Sequence, residues 1–495
     1  MKLPAAALLI LAAVFLRADS LAQPEPRLVN LNVIAFDGHG RMVTDLTADD
    51  FQIADGGKPQ KIAFFHPTRR KLRDQPALAA NEFSNRTADT SRGATVILYD
   101  LLNMGFGARG YAANEMIRDL PQVESAGSLY MYLVSVDGAL YPIRDVWPLP
   151  EPGSPPWTGQ IKQMLDATLK SATKVRSVEI DVFIRIQLTF NMLEALGARL
   201  ASIPGRKNII WVTDGIPIEL GEVRSDIGEP VDFTPQIRRL CEALDRSDIA
   251  LYPVRQIMMG RSDNIGAMSD GAGATGGGGT GQSSIATLDL FADLTGGRRT
   301  AGKDIRAAIE QSMRDLEFSY QIGYYPPAGS LDNKFHKVRV TSKRKELRIQ
   351  AKSGYYAWNF PPGTVSTDAF RATAGATLDA AEIGLRATVA GPAVTLRINA
   401  NDLALSREGD AFTGHLRILA VGYSPEGTVT SGEPIPADFR LTVAQRDEAL
   451  RNGIVVAAKL PPVKDEGRFR IIVFDRGSNA VGSITVPVEA LRAAR

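Results

Sequence analysis

Residues 95–99 (Thr-Val-Ile-Leu-Tyr) and 208–212 (Asn-Ile-Ile-Trp-Val) are dominated by apolar and β-branched side chains, and each run leads to an aspartate, Asp100 and Asp214. A hydrophobic run without polar alternation is the pattern of a strand buried on both faces, as in a parallel sheet. Residues 128–136 and 249–254 read as further strands. Helices are expected at 108–120, 182–203, 235–247, 285–294 and 304–315. In 182–203, Phe183, Ile186, Phe190, Leu193, Leu196 and Leu200 recur at three- and four-residue steps, which is one face of an amphipathic helix. Strands alternating with helices over 93–316 predict a doubly wound, mainly parallel α/β sheet. Ligands of such sheets sit beyond the carboxyl ends of the strands, where Asp100 and Asp214 stand.

The flanks are patterned differently. Residues 28–36, 42–46, 51–54 and 58–65 read as strands, the last two as a hairpin about Asp55-Gly56-Gly57. Residues 318–324, 334–341 and 347–351 form a second set of strands. Neither set makes a core alone. The expectation is therefore one small β-sandwich built from 27–66 and 317–358, with the α/β domain inserted between its halves. Residues 67–92 are polar and basic and read as a linker, 148–156 as a loop, and the glycine-rich 260–284 as a surface loop. Residues 366–495 show seven short strand patterns separated by turn residues, which suggests an immunoglobulin-like sandwich.

Three whole-chain features narrow the class. Residues 1–22 have a basic start, an apolar stretch over 5–16 and small residues at Ser20 and Ala22, the order of a signal peptide. Export to a periplasmic or extracellular location follows, with no membrane span expected in the mature chain. Cys241 is the only cysteine, so no intramolecular disulfide or multi-cysteine zinc site can form. A net charge of +2 gives no reason to expect nucleic acid as a partner.

The two strand-end aspartates resemble the von Willebrand factor type A domain, in which the first strand ends in Asp-x-Ser-x-Ser and a later one in Thr-Asp-Gly. The segments 45–51, 204–208, 212–215, 294–297, 320–326 and 353–357 add the motif order of the exported, von Willebrand type A-related proteins of the acidobacterial type. That resemblance covers roughly residues 28–357 and implies a metal ion-dependent adhesion site at Asp100 and Asp214. Leu102 and Met104 stand where the serines would be, so the implied site is degenerate. Asn103 is the candidate oxygen donor beside them, with a third ligand from Thr173 or Thr189. The implied cofactor is Mg²⁺ or another divalent cation, weakly held. The alternative is that both aspartates cap the structure that follows them.

Other constellations point elsewhere. The run 276–283 resembles a phosphate-binding loop but has Gln282 in place of the lysine. His39, His66, His336 and His415 are scattered, without zinc spacing, and no Gly-x-Ser-x-Gly elbow is present. Lys337, Arg339, Lys343, Arg344, Lys345 and Arg348 make a basic hairpin, either a solvated edge or a contact for an anionic partner. Tyr320, Tyr324, Tyr325, Tyr355 and Tyr356 read as sandwich core and rim. The expected function is a non-enzymatic, adhesion-type module for a protein or other envelope macromolecule. The alternatives are a hydrolase of envelope polymers, or a scaffold whose type A fold holds no metal.

Overall fold

The computed structural model describes residues 28–69, 77–86, 93–105, 109, 114–116, 118, 129–145, 181–200, 203, 205–217, 219–220, 231–255, 280–300, 304–327, 330–359, 364–376, 379–390, 393–458, 460 and 467–493. The expected signal peptide, the loop expected at 148–156, most of the helix expected at 108–120, Thr173 and nearly all of the glycine-rich run lie outside the described residues. The protein is mixed α/β with several β-sheets.

The central sheet has the order Ile249–Val254, Lys207–Val212, Ala94–Asp100, Leu129–Val134, Leu140–Arg144. The first four strands are parallel and the fifth is antiparallel. Successive side chains on a strand point to opposite faces, and here both faces are covered. Val96, Leu98, Ile209 and Trp211 pack beneath helices Val182–Leu200, Thr234–Arg246 and Thr280–Thr295. Ile97, Tyr99, Ile210 and Val212 pack against helix Ile305–Asp315 on the other face. This two-sided burial is why the strands carry no polar alternation. Chain order runs one way from Ala94–Asp100 and the other way from Lys207–Val212, so the crevice between these strands is the topological switch point.

Gly297 shows why the run Leu294-Thr295-Gly296-Gly297 matters: a Cβ there would sit 1.8 Å from the Leu251 carbonyl oxygen. Only glycine lets the chain leave its helix this close to the sheet.

Strand Val29–Phe36 pairs antiparallel with Phe318–Tyr324, Leu31 opposite Ile322, so segments before and after the α/β unit share a sheet. Phe64–Arg69 and Arg348–Gln350 complete it. A second sheet holds Gly354–Tyr356, Phe335–Ser342, Phe51–Asp55 and Lys58–Gln60. Leu31, Val33, Phe51, Ile53, Tyr320 and Tyr324 fill the space between the two. The expected strand over 58–65 is in fact two. Residues 61–63 leave the ladder, and Phe64 pairs in the opposite sheet.

Two further expectations are corrected. Within the proposed linker, Glu82–Ser84 is a strand paired antiparallel with Arg386–Thr388, and Arg86 is buried. A three-residue strand whose partner lies some three hundred positions away leaves no local periodicity to read. The C-terminal region has strands at most of the expected places, in a four-stranded and a six-stranded sheet around one apolar core. It also has helices Thr364–Gly375, Val443–Asn452 and Val488–Ala493. The second begins at a capping box between Thr442 and Gln445, which ends strand Ile435–Thr442. Among the described residues no helix is long and apolar enough to cross a membrane.

Candidate functional site

Strand Ala94–Asp100 turns where it does because the Asp100 side chain closes the next turn. Its Oδ1 accepts from the Asn103 backbone N–H at 3.1 Å. Its Oδ2 accepts from Asn103 Nδ2 at 2.8 Å, Trp211 Nε1 at 3.0 Å and the Thr213 hydroxyl at 3.0 Å. A carboxylate has about four lone-pair positions, and Asp100 meets four donors. The residue is wholly buried. Burial pushes its pKa up, and the bonds from Asn103, Trp211 and Thr213 oppose that rise.

Asn103 extends this knot. Its Nδ2 also donates to Thr189 Oγ1 at 2.8 Å, and the Thr189 hydroxyl donates to the Arg185 carbonyl at 2.8 Å. Because that hydroxyl proton is spent on Arg185, Thr189 can only accept from Asn103, which fixes the amide orientation. Asn103 Oδ1 is left buried without a partner among the described residues. Thr189 lies on the buried face of helix Val182–Leu200, so its place inside a helix does not keep it from the strand ends.

Asp214 stands across the crevice. Its Oδ2 accepts from the Gly105 backbone N–H at 3.1 Å. Burial raises its pKa to about 6, and Asp100 adds to the rise. The Gly105 bond, Arg255 and Arg109 pull the other way. Arg109 Nε donates to the Met104 carbonyl at 3.0 Å, and the Tyr99 hydroxyl donates to the Arg109 carbonyl.

The structure thus brings together Asp100, Asn103 and Thr189 by direct hydrogen bonds, with Asp214 joined through the backbone of Gly105. Thr173 lies outside the described residues. Leu102 and Met104 are buried and pack on opposite faces of the sheet. A hard divalent cation needs an octahedron of available oxygens. Asp100 Oδ2 already takes three donors and Oδ1 one, Thr189 is engaged, and residues 102 and 104 carry no side-chain oxygen, which leaves Asn103 Oδ1, one position on Asp100 Oδ1 and Asp214 as the available oxygens among the described residues. As arranged, these side chains offer fewer free oxygens than the six positions of an octahedral ion. Sequence reasoning missed Trp211 and Thr213 as donors to Asp100. Only the pairing of strand Lys207–Val212 beside Ala94–Asp100 makes them neighbours.

Other candidates have structural partners. Asp55 accepts from the hydroxyls of Tyr324 at 3.0 Å and Tyr355 at 2.9 Å. His336 lies between Asp55 and Asp332 in the β-sandwich, away from the sheet's carboxyl end. Arg344 of the basic hairpin pairs with Asp45 and Asp50.

No protein-family model matches the chain, and no curated protein matches it. The solved structures that are similar at low levels include the following two. One is a von Willebrand factor type A protein from Catenulispora acidiphila, at 10% identity and TM-score 0.25, covering 87% of this chain and 72% of that one. The other is the human COPII-coat protein Sec24c, also at 10% identity and TM-score 0.25. That alignment covers 84% of this chain but spans about half of Sec24c, 47% of its length.

Proposed function

We propose that this chain is a non-enzymatic recognition protein. The loops at the carboxyl end of its parallel sheet contact a protein or another envelope macromolecule without a bridging cation. The observation that carries this reading is the Asp100 carboxylate, whose four donors all come from the chain itself. In a type A adhesion site that carboxylate would serve a metal, and the metal would serve an acidic side chain of the partner. Here the same position braces the strand ends, which leaves the surrounding loops, with Asp214 and Arg109, to present shape and charge. The same proposal has residues 1–22 direct export, so that the encounter is periplasmic or extracellular. It also treats the α/β unit as set into the small sandwich, with an immunoglobulin-like sandwich following.

The test is capture from the native envelope fraction with immobilised full chain, with and without EDTA. Recovery of the same partner in both conditions is expected, together with its loss in the Arg109→Ala, Asp214→Ala double variant at unchanged circular dichroism. Capture that requires a divalent ion, or that ignores the double substitution, contradicts the proposal.

A further inference from the structure

Strand Val29–Phe36 alternates, with Val29, Leu31 and Val33 in the sandwich core and Asn30 and Asn32 on the other face. On most sandwiches such a face meets water. Here it borders a cavity of about 170 Å³ whose wall also includes Asp248 of the α/β unit and Glu382 of the C-terminal region. The cavity is therefore shared by three parts of the fold.

Its wall is short of donors. Asn30 Oδ1, Asn32 Oδ1 and Thr68 Oγ1 are buried and without hydrogen-bond partners among the described residues. Burying an acceptor unmet is costly, so such a site selects an occupant that can donate. Among the described residues the Asp248 carboxylate is reached only by Asn32 Nδ2, at 3.3 and 3.4 Å. Burial raises the Asp248 pKa, and Arg206 and Lys207 oppose that rise through space, yet the hydrogen bonds of these two cations go elsewhere. Arg206 donates to Asn208 and the Gly296 carbonyl, and Lys207 to the Ile203 carbonyl. Of the six carboxylates on the wall, Asp245, Asp315, Glu382 and Asp402 are paired with Lys352, Arg298, Lys207 and Arg86, whereas Asp248 has no ion pair among the described residues. Water could answer the missing donors but would leave Asp248 without a cation in contact, and the volume exceeds what one water needs.

We propose that this cavity binds a small organic cation bearing several N–H donors, a guanidinium or primary ammonium head. The donors would meet Asn30, Asn32 and Thr68, and the charge would meet Asp248. The head could belong to a free metabolite or to an arginine or lysine side chain of a partner, and the chemistry is the same.

The test is calorimetric titration of the full chain with agmatine, with an arginine-terminated peptide, and with uncharged N-butylurea at matched ionic strength. Saturable one-to-one binding is expected for agmatine, for the peptide, or for both, and none for the urea. Binding by the peptide alone assigns the head to a partner side chain. Asp248 has a φ of +50°, a conformation asparagine adopts readily. Asp248→Asn therefore keeps the backbone and should weaken binding at least tenfold, while Thr68→Val, close to isosteric, should weaken it severalfold. Circular dichroism of both variants should match the parent. Absence of saturable heat with either cation means a cavity holding water alone and overturns the proposal. Binding that survives Asp248→Asn unchanged overturns it as well.

Discussion

Replacing Asp214 by asparagine should stabilise this protein at neutral pH and leave it unchanged in acid. The ordinary carboxyl value is 3.8, and burial raises Asp214 to about 6. At about 1.36 kcal/mol for each pH unit, the difference of roughly two units makes ionised Asp214 cost on the order of 3 kcal/mol. Asp214 is only partly buried, and solvent screening reduces this to about 1–3 kcal/mol. The sign follows from linkage: a carboxyl with a raised folded value gives its full stabilisation below pH 3.8 and loses it as pH rises through 6. Asparagine imitates the protonated form and keeps an oxygen for the Gly105 N–H. Urea unfolding followed by tryptophan fluorescence should show no difference between variant and parent near pH 3. Near pH 7.5 the variant should gain about 1–3 kcal/mol. A variant less stable at pH 7.5, or a difference that does not change with pH, refutes the reasoning. A bound cation would give that opposite result, because it needs Asp214 ionised.

Asp100→Ala strips the acceptor from Trp211, Thr213 and both Asn103 donors. It should cost about 3–5 kcal/mol, read from the urea midpoint. Arg86→Ala leaves Asp402 buried beside an empty space where the 2.8 Å ion pair stood. A loss of about 3–5 kcal/mol is expected, with faster limited proteolysis of the C-terminal region than in the parent. Gly297→Ala, which places a methyl on the Leu251 carbonyl, should lower thermal stability by several degrees, whereas Gly38→Ala, with nothing within 4 Å, should not.

The parallel sheet was legible because burial on both faces erases polar alternation, and Val96 to Tyr99 and Ile209 to Val212 are all fully buried. The capping box at Thr442 and Gln445 was equally present in the sequence, yet the surrounding strand pattern obscured it. Glu82–Ser84 could not have been read, since its identity as a strand comes entirely from Arg386–Thr388. At the site, Asp100, Asn103 and Asp214 were picked out by position, but position does not say what a carboxylate binds. Asp100 is answered by Trp211 from the neighbouring strand, and that contact depends on register. Leu102 and Met104 were the residues in the sequence that pointed to this outcome, because apolar side chains at those places belong to a packed core.

The most direct measurement is a calorimetric titration of the intact chain with Mn²⁺ and Mg²⁺. No saturable heat is expected at this locus, with traces for the parent and Asp214→Ala superimposing. A saturable heat in the parent that Asp214→Ala abolishes would contradict it.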